Sequence, residues 1–111
     1  MEAPVDLTNL RSMTDGDKEM EKELFTEFYD CFESGLNVLR ASCGDSDAET
    51  WRTQAHALKG VALNLGALHL GDLGKKAQDE YLVPEAAKVE MLKKMQTEYE
   101  RVKIFLLNVN A

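Results

Sequence analysis

The sequence has only two prolines and seven glycines in 111 residues, so little in it interrupts helices. It contains no run of about 18 consecutive apolar residues, which excludes a transmembrane helix. Its first residues lack both a basic region and an apolar segment, and we therefore expect no signal peptide. The formal net charge of −7 argues against a nucleic-acid-binding protein, because such proteins need a basic surface.

Cysteine is also scarce, since Cys31 and Cys43 are too few for a disulfide scaffold. Cys31 lies beside Phe28 and Phe32 on an apolar helix face, which predicts a buried, reduced thiol. Cys43 lies near a predicted helix end, a position that allows exposure to solvent. Free thiols are typical of a reducing compartment, so we expect a cytoplasmic protein.

Motifs for metal or nucleotide binding are missing as well. No Cys-x-x-Cys or His-Glu-x-x-His occurs, and His56 and His69 are not spaced as ligands on adjacent helical turns. Gly66, Gly71 and Gly74 form neither a Walker A motif nor a Gly-x-Gly-x-x-Gly motif. We therefore expect no metal site and no means of self-phosphorylation from ATP. His69 belongs to no recognisable motif, and we expect it to be structural or inert.

Apolar residues recur at helical spacing in successive segments and predict an all-α protein. The predicted helices are a short one over about 6–13 and four long ones over about 17–42, 47–66, 67–81 and 84–109. Ser46 and Glu49 have the spacing of a capping box for the third helix, and Gly66 marks its end. This pattern predicts an antiparallel up-down-up-down four-helix bundle with an additional short N-terminal helix. We expect residues 1–111 to form this single domain.

The third predicted helix presents a histidine away from its apolar side. At 3.6 residues per turn, Ala55 and Leu58 face inward while His56 points roughly 140° away from the centre of that apolar side. Lys59 follows one turn later, and Gly60 lies almost directly above His56. A glycine inside a helix costs about 1 kcal/mol relative to alanine. At this position it leaves one side of the imidazole open to a bulky partner.

Five residues repeat a known family pattern: His56, Lys59, Gly60, Gly66 and Gln78. The segment 51–78 resembles the histidine-containing phosphotransfer (HPt) domain. The acidic segment 6–28 and the long last helix also fit this family. The resemblance implies a stoichiometric phosphocarrier of a two-component phosphorelay. It would accept a phosphoryl group from the phospho-aspartate of one receiver domain and pass it to another. The implied partners are receiver domains of response regulators or hybrid histidine kinases, with Mg²⁺ on the receiver and no cofactor on this chain, which we expect to be a monomer.

The resemblance also implies roles for single residues. His56 would be the phosphoacceptor, Lys59 would neutralise the incoming charge, and Gln78 would accept the other ring N–H. Gly66 would let the chain turn after the third helix. The residues expected to contact the partner are Arg52, Gly60, Leu63, Leu7 and Leu10. For Arg52, a surface salt bridge is an equally good interpretation, whereas Leu63 is apolar where a solvated helix face is usually polar.

Two other function classes remain open. A helical adaptor could bind a receiver or kinase domain without accepting phosphate, and acid-labile, base-stable phosphate on His56 would separate it from a phosphocarrier. A metal- or ligand-binding bundle enzyme would need carboxylates or histidines facing inward from several helices. The predicted inner faces are almost wholly apolar, which counts against this class.

Overall fold

The computed structural model describes residues 3–109 as five α-helices, with no strand among those residues. In chain order they are α1 (Thr8–Thr14), α2 (Lys18–Ala41), α3 (Ala48–Leu65), α4 (Leu68–Asp79) and α5 (Glu85–Val109). α3 packs between α2 and α4, and α5 closes the bundle by contacting both α4 and α2. Short loops join these helices, so consecutive helices run antiparallel. The predicted all-α four-helix bundle with an additional N-terminal helix is confirmed.

A side-chain cap fixes the start of α2, whereas α3 begins without one. Asp17 caps α2, because its side chain accepts the backbone N–H groups of Glu19 and Met20 at 3.0 and 3.1 Å. The predicted capping box at the start of α3 is wrong. The segment Asp45–Asp47 forms a short 3₁₀ turn that continues directly into α3. Asp47 has φ −112° and ψ 22°, which is not the extended conformation from which a side chain caps a helix.

Aromatic side chains from three helices form much of the core. Phe32 of α2 and Tyr99 of α5 stack with ring centroids 5.0 Å apart, and Phe28 lies against both. Trp51 of α3 is fully buried, and its indole N–H donates to the backbone carbonyl of Ala77 in α4 at 2.8 Å. A buried indole needs such an acceptor. The bond therefore ties α3 to α4 at the depth of the core.

The interior is less apolar than the helix periodicity predicts. Glu21 and Lys88 are almost completely buried, and Glu98 is nearly so. Arg11 lies 3.3 Å from Glu21, and Arg101 lies 3.1 Å from Glu98, so each buried carboxylate has a guanidinium beside it. The Lys88 ammonium lies over the buried indole, 5.2 Å from its ring centroid. Such pairing is what buried charges require.

Two kinds of feature are absent from the part of the chain that the structure describes. No group of three or more His, Cys, Asp or Glu side chains within residues 3–109 is arranged to hold a metal ion. Among the same residues, no helix is both long and apolar enough to span a bilayer.

The prediction that Cys31 is buried is wrong, because its side chain is exposed, and Cys43, whose position allows exposure, is buried. The buried side of α2 runs through Phe28 and Phe32. Cys31 lies about 100° around the helix from Phe32, beyond the edge of that side. Cys43 follows the last turn of α2, where the chain folds back, and its thiol donates to the carbonyl of Leu39 at 3.3 Å. Burial raises the pKa of the Cys43 thiol.

Leu7 and Leu10, the two leucines that the sequence predicts as partner contacts, are buried in this structure. The two side chains are only 7% and 4% exposed and belong to the core. The reason is the position of α1, which lies against both α2 and α3. Leu10 in α1 and Leu7 just before it are therefore enclosed by these helices. Met13, one turn after Leu10, is instead 68% exposed. Of the three apolar residues at this spacing, the two leucines are thus buried and the methionine is accessible.

Candidate functional site

His56 lies on the exposed face of α3, where α4 runs alongside. Lys59 follows one turn later on α3, and Gln78 lies in the last turn of α4. The imidazole is exposed, whereas Lys59 and Gln78 are half-buried. The site is therefore an open surface formed by two adjacent helices, and its histidine is the most accessible of these three residues.

The central contact of the site joins the two helices through side chains. Nδ1 of His56 lies 3.1 Å from Oε1 of Gln78. An amide oxygen can only accept a hydrogen bond, so Nδ1 carries the proton and donates it. The other ring nitrogen, Nε2, then keeps its lone pair. The contact thus selects the tautomer in which the nitrogen farther from the backbone carries the free lone pair.

Lys59 and Gly60 shape the surroundings of the imidazole. The Lys59 ammonium forms no ion pair with any residue between 3 and 109, so no carboxylate of those residues neutralises its charge. A Cβ added to Gly60 would meet no atom within 4 Å. The surface beside the ring is therefore open, with one uncommitted positive charge near it.

Arg52 lies one turn before His56 but is engaged elsewhere. Its guanidinium lies 3.2 Å from the Glu49 carboxylate and 5.2 Å from the centroid of the Tyr81 ring. Arg52 and Glu49 are both largely exposed, and an exposed pair of this kind contributes little to stability. Of the two interpretations offered by the sequence, the salt bridge is the one that the structure contains.

Apolar side chains are exposed on α3 and also line a groove between α3, α1 and α2. Leu63 lies two turns after His56 and is 42% exposed. A shallow groove of about 320 Å³ lies between α1, α2 and α3, and its lining includes Met13, Leu24, Cys31 and Val61. None of these four was predicted as a site residue. Their grouping depends on how α1 and α2 are placed against α3, which periodicity within one helix does not specify.

Gly66 ends α3 where the sequence predicts. It has φ +100°, the left-handed conformation that glycine adopts without strain, and its N–H donates to the carbonyls of Ala62 and Leu63. α4 begins two residues later, and this short connection holds α4 next to the His56 face. His69, near the start of α4, is exposed and lies outside the site.

Comparison with known proteins identifies one family. The sequence model of the Hpt domain matches residues 2–104, which is nearly the whole chain. Searches for similar curated proteins and for similar solved structures found no match.

Proposed function

The chain belongs to the Hpt domain family, and from this premise we propose that it carries phosphoryl groups on His56 between receiver domains. Hpt domains are phosphocarrier modules of phosphorelays and have no ATP site of their own. The observation that carries the assignment to His56 is its contact with Gln78. An exposed imidazole whose Nδ1–H donates to an amide oxygen, with 3.1 Å between Nδ1 and that oxygen, has Nε2 free for attack.

In the proposed reaction, Nε2 of His56 attacks the phosphorus of an aspartyl phosphate on a receiver domain. An N–P bond forms, the P–O bond to the aspartate breaks, and the aspartate leaves as a carboxylate. The Nδ1 proton stays on the ring, which becomes positively charged, and Gln78 stabilises that charge by accepting the N–H. Attack by the aspartate of a second receiver reverses these steps and returns the neutral imidazole.

Both proteins would contribute positive charge that stabilises the transferring phosphoryl group. The receiver supplies Mg²⁺, and Lys59 supplies an ammonium group that offsets the charge of the transferring phosphoryl group. Lys59 is half-buried and lies one helical turn after His56, on the side of α3 that the two residues share. Phosphoryl transfer depends mainly on such positioning and charge neutralisation, so no acid or base on this chain is needed.

We propose that the receiver docks on the surface formed by Gly60, Leu63, Met13 and the groove beside them, which we call the docking face. Met13 and Leu63 are both exposed and apolar. The open space at Gly60 allows a partner's backbone or side chain to approach the ring. Because the complex must dissociate after each transfer, we expect an interface of less than about 1,200 Å².

Transfer of radioactive phosphate from a labelled receiver domain tests the proposal. We expect label on the wild-type protein, stable in base and labile in acid, and no label on the variant His56→Gln. His69→Gln is the matched control, because His69 is the other histidine and is also exposed. Undiminished labelling of His56→Gln would exclude His56 as the carrier. Binding of the receiver without any label on the wild type would favour the helical adaptor instead.

A further inference from the structure

The backbones of α3 and α4 come close together at Gly74. A Cβ built on Gly74 would lie 3.1 Å from Cα, 3.2 Å from N and 3.3 Å from Cβ of Lys59. Real Cβ atoms rarely come this close to other atoms, and two of the three atoms belong to the backbone, which cannot rotate away. Any larger residue at position 74 therefore has to push the two helices apart by a few tenths of an ångström.

This close approach is one turn away from the phosphoacceptor on both helices. Gly74 precedes Gln78 by four residues on α4, and Lys59 follows His56 by three residues on α3, so each pair lies on one face of its helix. The contact of Gly74 with Lys59 and the hydrogen bond of Gln78 to His56 are thus neighbouring contacts across the same helix pair. A change in separation at the first is transmitted to the second.

We infer that Gly74 is a positioning residue, which sets the distance between α3 and α4 at which Gln78 accepts the Nδ1 proton of His56. The hydrogen bond is 3.1 Å long in the structure. Adding a few tenths of an ångström takes it beyond about 3.2 Å, the upper end of the usual range for N–H···O hydrogen bonds. A weaker bond no longer selects the Nδ1–H tautomer, and the fraction of imidazole with a free Nε2 falls. The predicted effect on transfer rests on the proposed function, but the effect on the tautomer does not.

Gly71, one turn earlier on α4, provides a matched control. A Cβ on Gly71 would meet Cδ2 of Leu63 at 2.4 Å and Cγ at 2.9 Å, but the nearest backbone atom is 3.8 Å away. The Leu63 side chain is 42% exposed and can turn toward solvent. Gly71→Ala therefore moves a side chain of the docking face, whereas Gly74→Ala moves a helix.

Imidazole ¹⁵N NMR on the labelled full chain tests this inference, since the two tautomers have different ¹⁵N shifts and couplings. We expect the Nδ1–H tautomer in the wild type and in Gly71→Ala. We expect progressive loss of that tautomer in Gly74→Ala and Gly74→Val, approaching the spectrum of Gln78→Ala. Circular dichroism and Trp51 fluorescence report whether each variant is folded. If Gly74→Val does not fold, Gly74→Ala alone tests the role of Gly74, because alanine needs the smaller displacement of the two helices.

The rate of phosphate transfer gives a second, independent measurement. Partners that orient metal-bound histidines contribute about tenfold or more to activity, and we expect a loss of that order for Gln78→Ala and a smaller one for Gly74→Ala. A folded Gly74→Ala that retains the wild-type tautomer would overturn the inference, as would a wild-type ring protonated on Nε2. If the wild type accepts no phosphate at all, the proposed function fails, while the NMR comparison still decides the role of Gly74.

Discussion

The backbone of Asp6 lies directly against Gly66. The Asp6 N–H donates to the Gly66 carbonyl at 2.9 Å, and a Cβ added to Gly66 would lie only 1.9 Å from the Asp6 carbonyl oxygen. Gly66 is therefore restricted in two ways, by its positive φ and by this contact. The hydrogen bond between Asp6 and Gly66 thus attaches the segment before α1 to the end of the helix that carries His56.

Replacement of Gly66 by alanine should be strongly destabilising. The left-handed conformation alone costs a residue with a Cβ about 1–2 kcal/mol, and displacement of Asp6 adds to this. We expect a loss of at least about 2 kcal/mol, or roughly 10 °C in Tm for a chain of this size. Urea and thermal unfolding measure it. Gly44→Ala is the control, because Gly44 has φ −67° and open space around it. Equal stability of the two variants would contradict the prediction.

Replacement of Gly60 by alanine should have the opposite effect on stability. A Cβ at this position in the interior of α3 meets no atom, so the change should stabilise the helix by about 1 kcal/mol. The same methyl group enters the space through which the receiver approaches His56, and we expect slower phosphate transfer. If Gly60→Ala is more stable but transfers phosphate more slowly, the slower transfer is caused by hindered docking and not by a weaker fold. A Gly60→Ala protein that is more stable and equally fast would show that the partner does not approach over Gly60.

The site on α3 could largely be predicted, because it depends on one helix. Spacing places Ala55 and Leu58 inward and His56 outward, and the structure has them so. The contact of His56 with Gln78 is different, since no periodicity within α3 specifies which residue of α4 lies opposite. That expectation came from the family resemblance alone.

The differences between expected and observed burial share one physical cause. Helical spacing shows which side of a helix a residue lies on, but not which other element packs against that side. Leu7 and Leu10 became core residues because α1 lies across two helices. Cys31 lies just outside the contact between helices, whereas Cys43 is covered where the chain folds back. Each outcome is decided by the packing of elements distant in sequence.

The two thiols should differ strongly in reactivity. Cys31 is exposed, whereas burial protects Cys43 and raises the pKa of its thiol, so less of it is thiolate at any given pH. We expect one rapid alkylation by iodoacetamide at pH 8 in the folded protein, lost in Cys31→Ser, and a second only after unfolding. Two equally rapid reactions in the folded protein would contradict this burial.

The raised pKa of Cys43 also predicts how stability depends on pH. Above the ordinary thiol pKa of 9.0, the unfolded state loses a proton that the folded state keeps. Stability is therefore complete below pH 9 and falls as the pH rises through and above that value. Comparison of wild type with Cys43→Ala by urea unfolding at pH 8 and pH 10 measures the effect. We expect the wild type to lose more stability than the variant over this interval.

The docking face predicts a residue whose loss weakens binding without affecting the fold. Met13 is 68% exposed, so Met13→Ser should change the free energy of unfolding by less than about 0.5 kcal/mol. If Met13 packs against the receiver, the loss of apolar contact should weaken binding by about five- to tenfold. Titration calorimetry with the receiver measures the affinity.

Ile104 on α5 is the matched control, because it is 61% exposed and belongs to neither the groove nor the His56 face. Ile104→Ser removes a similar apolar area from the surface, but we expect unchanged affinity. Equal weakening by both substitutions would indicate a general loss of surface hydrophobicity rather than a contact at Met13. Weakening by Ile104→Ser alone would move the docking face to α5 and separate it from the helix that carries His56.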